Sequence, residues 1–431
     1  MDTDALNASM EQLMADSRLV ELCELHRTGD SVFDVFDLTE NQNSAMLAWM
    51  LDPKEGHGQG DEILRDLLTR ASTIASSGDA GLDGRGATAR FFSAWPASRV
   101  RTSSFASAFT TTELRVSDGE RIDLCVVDTH NGFILVIENK VGAKHTDEQL
   151  ERYRDEVSSA LKANPRLRGL EQVYLALDYY HDGEAGATRP SMLYWLHLGY
   201  DWLETSARRA QTHVERGNAS ARLVATYCQQ LTDWESPRTE RVQTLAAAIH
   251  QTYPDAVARL LTFAGGGNDN NWLLGKEQNW THRLFALQNK SVMTTLGQMR
   301  GIASVATEVR NAIPVLPRTS VYSRRNSFEV CPRGYEVTGP DLHWPVYIRV
   351  KYAGKDRRQF NLSLCLDRES ATSPGHAERF RDALARVDDR FASRVGAARR
   401  RALVGRSVGH AEMLRQLIEL EARIFSALNA A

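Results

Sequence analysis

Two apolar strands interrupted by charge constrain this chain most. Arg121-Ile122-Asp123-Leu124 opens one, and Val136-Ile137-Glu138-Asn139-Lys140 closes the next. The polar turn Asp128-Thr129-His130-Asn131-Gly132 separates them. Apolar runs flanking such a turn predict a hairpin. Residues two apart on a strand share a face, so Glu138 and Lys140 project together. The hairpin can return Asp123 to the same end of the sheet. Phe133 to Ile137 is otherwise apolar, so ionisable groups there need a reason. Spacing alone is a weak signal, because charges are common at solvated strand ends.

Two carboxylates and a lysine suit metal-assisted phosphodiester hydrolysis. That reaction must neutralise the scissile phosphate, activate water and steady an alkoxide leaving group, and a divalent cation serves all three needs. Mg²⁺ takes oxygen ligands and keeps several waters, so two carboxylates suffice. Asp123 and Glu138 fit that role, with the Asn139 carbonyl as a further oxygen. Protonated Lys140 cannot ligate; it is expected to orient water or stabilise developing charge. On the helix that follows, Gln149 and Tyr153 lie one turn apart on one face.

The rest of the chain reads as helices around that strand pair. Helices are expected over 1–30, 42–51, 61–77, 145–163, 200–215 and 220–234. Strands are expected over 111–116, 122–128, 133–139, 173–177 and 192–195. Segment 76–86 reads as a surface excursion. The order implies an α/β sandwich, a mixed sheet flanked by helices. Glu235-Ser236-Pro237-Arg238 is a plausible boundary. It divides a first domain, 1–236, from a second α+β domain, 237–431. The second is read as helices over 239–264 and 291–312, strands at 328–330, 335–337, 346–352 and 360–366, and helices over 374–398 and 407–430. The glycine-rich run at 265–271 lacks phosphate-loop spacing and reads as a turn.

Charge divides along the same line. Residues 241–431 hold 28 Lys+Arg and 17 Asp+Glu, a net of +11; residues 1–240 hold 24 and 38, a net of −14. A basic second half suggests a polyanion partner. Its clusters are Arg324-Arg325, Lys351, Lys355, Arg357-Arg358 and Arg399-Arg400-Arg401. Tyr322, Tyr335, Trp344, Tyr347 and Tyr352 lie among them, which suits phosphate contact and stacking on DNA. A sheet with inward aromatics and solvated charges fits equally well. The terminal helices can pack on that sheet or form a homodimer seam. Five scattered cysteines argue against structural zinc and disulfides, and fit buried thiols in a reducing cytoplasm. No run is long and apolar enough to span a membrane, and the acidic N-terminus lacks a secretory layout.

D…E-x-K on neighbouring strands, then Q-x-x-x-Y on the next helix, resembles the PD-(D/E)XK nuclease superfamily. The nearer likeness is to its uncharacterised bacterial branch marked by I-E-N-K. Glu40-Asn41-Gln42-Asn43-Ser44, Leu47 to Pro53 with His57-Gly58, and Tyr194-Trp195 through Tyr200 share in it. It covers about residues 37–235. The resemblance implies a restriction-endonuclease-like core with Mg²⁺ (or Mn²⁺) at Asp123 and Glu138. It makes Lys140 the catalytic lysine, and Gln149 and Tyr153 residues that orient the site or touch the DNA backbone. Glu40 matches a helix-borne glutamate that joins the metal site; its plain reading is charge complementing the helix N-terminus. Glu113 is a second candidate. Ile122 stands where the family often has proline. His57 reads as structural or phosphate-facing, and His145 as solvent-exposed.

The expectation is therefore a cytoplasmic, metal-dependent deoxyribonuclease, serving defence against foreign DNA or repair. The rivals are a non-catalytic nucleic-acid-binding protein that keeps the fold, and an RNase or nuclease toxin.

Overall fold

The computed structural model describes residues 3–28, 33, 38–77, 80–115, 121–141, 145–179, 181, 188–232, 234–264, 280–316, 320–323, 327–335, 344–353, 359–368, 370–392 and 399–429. Two helices open the chain, α1 (Thr3–Met14) and α2 (Ser17–Arg27). The single helix expected over 1–30 is broken at Asp16, whose carboxylate caps α2 by accepting the Arg18 N–H at 2.8 Å. α3 (Glu40–Leu51) starts with a capping box between Thr39 and Gln42. α4 (Glu62–Ala75), α5 (Ala87–Ala94) and α6 (Ala97–Thr102) follow.

Next come β1 (Phe109–Arg115), β2 (Arg121–Asp128), β3 (Phe133–Lys140), α7 (Asp147–Ala163), β4 (Glu171–Asp178), β5 (Leu196–Leu198), α8 (Leu203–Glu215) and α9 (Ala219–Leu231). Met192–Trp195 is a turn rather than the expected strand; the strand is the next three residues. The sheet order is β1-β2-β3-β4-β5. β1–β2 and β2–β3 pair antiparallel, while β3–β4 and β4–β5 pair parallel, with α7 as the crossover. Both faces are buried. Leu124, Val126, Leu135 and Ile137 join the layer of α3, α4, α8 and α9, and Cys125, Val127, Ile134 and Val136 join that of α7. This is the expected mixed α/β sheet flanked by helices.

Beyond Ser236, which caps it, α10 (Pro237–Thr252) is separated from α11 (Pro254–Ala264) at Tyr253-Pro254. Proline removes an N–H and restrains the residue before it, so the one helix expected over 239–264 is two. α12 (Trp280–Gln288) and α13 (Lys290–Ala312) follow. α1 and α2 pack on this group: Met10, Leu13, Leu19 and Leu22 share a core with Leu245, Ile249, Val257 and Leu296. The chain's first residues thus pack with helices from beyond residue 236.

The closing block holds β6 (Val321–Ser323), β7 (Ser327–Val330), β8 (Val346–Tyr352), β9 (Phe360–Asp367), α14 (Pro374–Ala385), a 3₁₀ turn (Asp389–Phe391), β10 (Arg399–Val408) and α15 (His410–Asn429). An antiparallel sheet runs β10-β9-β8-β7-β6. β10 fills the gap between the helices expected over 374–398 and 407–430 and takes the first two residues of the second, while α14 ends at Ala385. Phe380, Leu384, Met413 and Leu417 pack with Ile348, Leu362 and Leu364, so the terminal helices cover this sheet. The segments at 265–271 and 336–337 lie outside the described residues. All five cysteines are buried, and none forms a disulfide. Among the described residues no helix is long and apolar enough to cross a membrane.

Candidate active site

The site forms where β2 and β3 part. Their ladder runs from Asp128↔Phe133 to Leu124↔Ile137. Two residues past Ile137, the Asn139 backbone N–H donates to Asp123 Oδ2 at 2.9 Å. A side-chain carboxylate takes the place of a ladder carbonyl, which orients Asp123. On the other flank, pairing passes from Thr112↔Leu124 to Leu114↔Ile122 and skips Glu113. Glu113 has φ 53°, in the left-handed region that side chains avoid. Its carboxylate lies 3.4 Å from Arg121.

Alternation on β3 sends Glu138 and Lys140 toward the α7 layer and Asn139 toward α3. Glu138 is fully buried. Its Oε1 accepts from Lys140 Nζ at 2.8 Å and from Gln149 Nε2 at 2.8 Å. Gln149 Nε2 also lies 3.2 Å from the Tyr153 hydroxyl, one turn along α7. Lys140 Nζ reaches Glu40 Oε2, at the first turn of α3, at 3.9 Å. Asp123, Glu138, Lys140, Gln149, Tyr153 and Glu40 are thus assembled at one sheet end.

Burial raises the Asp123 carboxyl above its usual range, against the Asn139 N–H and the Lys140 charge. Burial and the neighbouring Asp123 carboxylate push Glu138 up to about 8. Burial would lower Lys140, but Glu138, Asp123 and Glu40 outweigh it and hold the ammonium above the ordinary lysine value. Among the described residues, no donor reaches the buried Glu138 Oε2. Two crowded carboxylates with one bare oxygen form a set that a hard divalent cation fits. Among the described residues no cluster of three or more His, Cys, Asp or Glu forms a metal cage. A two-carboxylate set with the remaining positions left to water is the pattern Mg²⁺ favours.

Asn139 carries its side chain to the opposite layer. Its Nδ2 donates to Ser44 Oγ at 3.0 Å, and its Oδ1 accepts from the Tyr200 hydroxyl. Only its carbonyl was a ligand candidate; the amide is committed elsewhere. His57 is buried between the Asp52 carbonyl (2.8 Å) and the Gln59 N–H (3.2 Å), and it braces the C-terminal end of α3. That end lies ~18 Å of helical rise from Glu40. His145 is buried, not solvent-exposed: its Nε2 meets the Leu177 carbonyl at 3.1 Å, and its ring stands 5.6 Å from that of His197. Burial pushes both imidazoles down to about 4.

Arg324, Arg325, Lys355, Arg357 and Arg358 lie outside the described residues, as does the Arg399 side chain. Arg400 and Arg401 sit on β10, and Arg400 donates to the Arg390 carbonyl at 2.9 Å. The Lys351 ammonium stands 5.1 Å from the Tyr179 ring centroid. The Tyr179 N–H donates to the Lys140 carbonyl at 3.0 Å, so β8 reaches the site's rim. The Ser44–Asn139–Tyr200 contact was missed from sequence. Its only signal was the polar run Glu40 to Ser44 at the start of α3, in which Asn43 and Ser44 are the two buried members.

Residues 30–229 match the family model described as PD-(D/E)XK nuclease superfamily. Comparison with curated proteins gives no match, and comparison with solved structures gives none.

Proposed function

We propose, from the match of residues 30–229 to the family model of the PD-(D/E)XK nuclease superfamily, that this protein hydrolyses phosphodiester bonds of DNA with a divalent cation, Mg²⁺ or Mn²⁺. The observation that carries the reading is the buried Asp123–Glu138 pair, with an undonated Glu138 oxygen, beside Lys140 at 2.8 Å. Asp123 and Glu138 would hold the cation, with the Asn139 carbonyl and Glu40 beside them. When bound, it supplies Lewis acidity and charge neutralisation at the scissile phosphate.

The chain's own groups do the rest. The Asn139 N–H holds one Asp123 oxygen and leaves the other for a ligand. Gln149 holds Glu138 by its Oε1, so that its Oε2 faces the site. Lys140, charged at neutral pH, steadies negative charge that grows during hydrolysis. Ile137 and Val136 keep the polar groups in a rigid, dry setting. Arg401 and Lys351 offer contacts to the DNA backbone from the second sheet. Cleavage of foreign DNA or repair is a setting drawn from analogy alone.

The test is plasmid cleavage with Mg²⁺ by wild type, Glu138→Ala and Lys140→Ala. Loss in both variants is expected; equal cleavage by all three proteins overturns the assignment. Parallel assays on duplex DNA, single-stranded DNA and RNA fix the substrate, and cleavage confined to RNA overturns the DNA reading.

A further inference from the structure

Asn139 stands between Glu138 and Lys140 on β3, yet its side chain serves the opposite layer. It is fully buried and takes two partners there, Ser44 of α3 and Tyr200 beyond β5. Ser44 and Tyr200 are themselves buried. Ser44 follows Glu40 by four residues, so the two share a helical face one turn apart. The contact that pins Ser44 therefore fixes the rotation of α3 about its own axis. That rotation determines whether Glu40 points toward Lys140, which it meets at 3.9 Å. A second bond restrains the same turn: the Tyr227 hydroxyl donates to the Asn43 carbonyl at 3.2 Å. Thr39 and Gln42 cap the helix start and leave Glu40 in its first turn.

We propose that Asn139, held between Ser44 and Tyr200, is a positioning residue that sets the rotation of α3 and so places Glu40 against Lys140. The proposal rests on the nuclease reading for its activity readout, but not for its geometry. One strand residue thus aligns three segments that are far apart in sequence. The physical requirement is an amide: it donates to Ser44 and accepts from Tyr200 at once. Leucine would fill the space and supply neither bond. Aspartate would supply acceptors only and bring a charge into the core.

The experiment is a double-mutant cycle between Ser44→Ala and Glu40→Gln, read in two ways: cleavage rate of a duplex plasmid at saturating Mg²⁺, and thermal unfolding. Ser44→Ala is expected to lower the rate about tenfold in the wild-type background, as loss of a supporting partner does at metal sites. In the Glu40→Gln background it should lower the rate no further, because the group it positions is already gone. Its effect on the unfolding midpoint should be the same in both backgrounds. A rate loss that multiplies across the two backgrounds, or no rate loss at all in Ser44→Ala, overturns the proposal. Tyr200→Phe removes the other bond and should behave as Ser44→Ala does, while Ser44→Thr keeps the oxygen and should keep most of the rate. If wild type cleaves nothing, the nuclease reading fails. The positioning claim is then read from the rate of Lys140 acylation by an amine-reactive probe at a single pH. Ser44→Ala and Glu40→Gln should change that rate in the same direction, and an unchanged rate in Ser44→Ala overturns it.

Discussion

The Asp123 carboxylate accepts the backbone N–H of Asn139 at 2.9 Å, where the β2–β3 ladder has just ended. One contact thus satisfies an amide beside fully buried residues and orients a ligand candidate. The two duties separate by mutation. Asp123→Asn keeps a side-chain oxygen for the amide but loses the charge. Asp123→Ala loses both and leaves a buried N–H unpaired, a cost of about 1–3 kcal/mol. Thermal unfolding should rank wild type and Asp123→Asn together and Asp123→Ala below them. Mg²⁺ should raise the midpoint of wild type alone. Equal stability of the two variants would remove the structural half of this account.

Glu138 links stability to pH. A glutamate starts near 4.5, and this one is held up to about 8. Between those values the folded chain keeps a proton that the unfolded chain has lost. This contribution is complete below pH 4.5 and is lost as pH rises through 8. Metal-free protein should therefore weaken between about pH 5 and 8, and Glu138→Gln should flatten that slope. A bound cation replaces the proton, so Mg²⁺ should raise the midpoint more at pH 8 than at pH 6. Chemical denaturation at four pH values, in EDTA and in Mg²⁺, checks both. The same slope in wild type and Glu138→Gln would contradict this account of Glu138.

Gln149 acts through Glu138 at 2.8 Å and lies 3.2 Å from Tyr153. Removing it by Gln149→Ala should raise the Mg²⁺ concentration for half-maximal cleavage by about 10- to 100-fold, with less change in the maximal rate. Tyr153→Phe removes only the hydroxyl behind Gln149 and should shift the same curve by a few-fold. A Mg²⁺ titration of cleavage distinguishes the two.

The strand pair, its turn and the facing of Glu138 and Lys140 were legible because period-two alternation and an apolar run are local signals. The Gln149–Tyr153 pairing was legible for the same reason, from helical spacing. What sequence could not give was the parting of β2 from β3, where a carboxylate enters the ladder, and the left-handed backbone at Glu113 on the other flank of β2. The same limit hid Ser44 with Asn139, ninety-five positions apart. It also hid the packing of α1 and α2 on helices from beyond residue 236. His145 was misjudged because a histidine just before a helix reads as polar, while its burial depends on His197 and the end of β4. β10 was missed because its arginines and glycine look loop-like one strand at a time. Its pairing with β9 supplies what its own propensity lacks.

The second sheet turns an apolar face to α14 and α15 and a polar face the other way. Cross-strand neighbours set that polar face: Lys351 opposite Asn361, Arg349 opposite Ser363, and Tyr347 opposite Cys365, which pairs in turn with Arg401. Arg349 is spent on Glu329, with an N···O distance of 2.7 Å. Among the described residues, no carboxylate pairs with Lys351 or Arg401. Lys351 stands over Tyr179, whose N–H holds the Lys140 carbonyl, so a cation with no carboxylate partner among the described residues lies near the candidate site. Lys351→Glu should weaken duplex DNA binding in EDTA and reduce the slope of log affinity against log salt by about 1. Arg349→Gln breaks an internal ion pair and should lower the unfolding midpoint while leaving the salt slope unchanged. Fluorescence anisotropy of a labelled duplex across a salt series measures both. If Lys351→Glu leaves that slope where wild type has it, the second sheet does not bind substrate through this face, and the basic half of the chain needs another explanation.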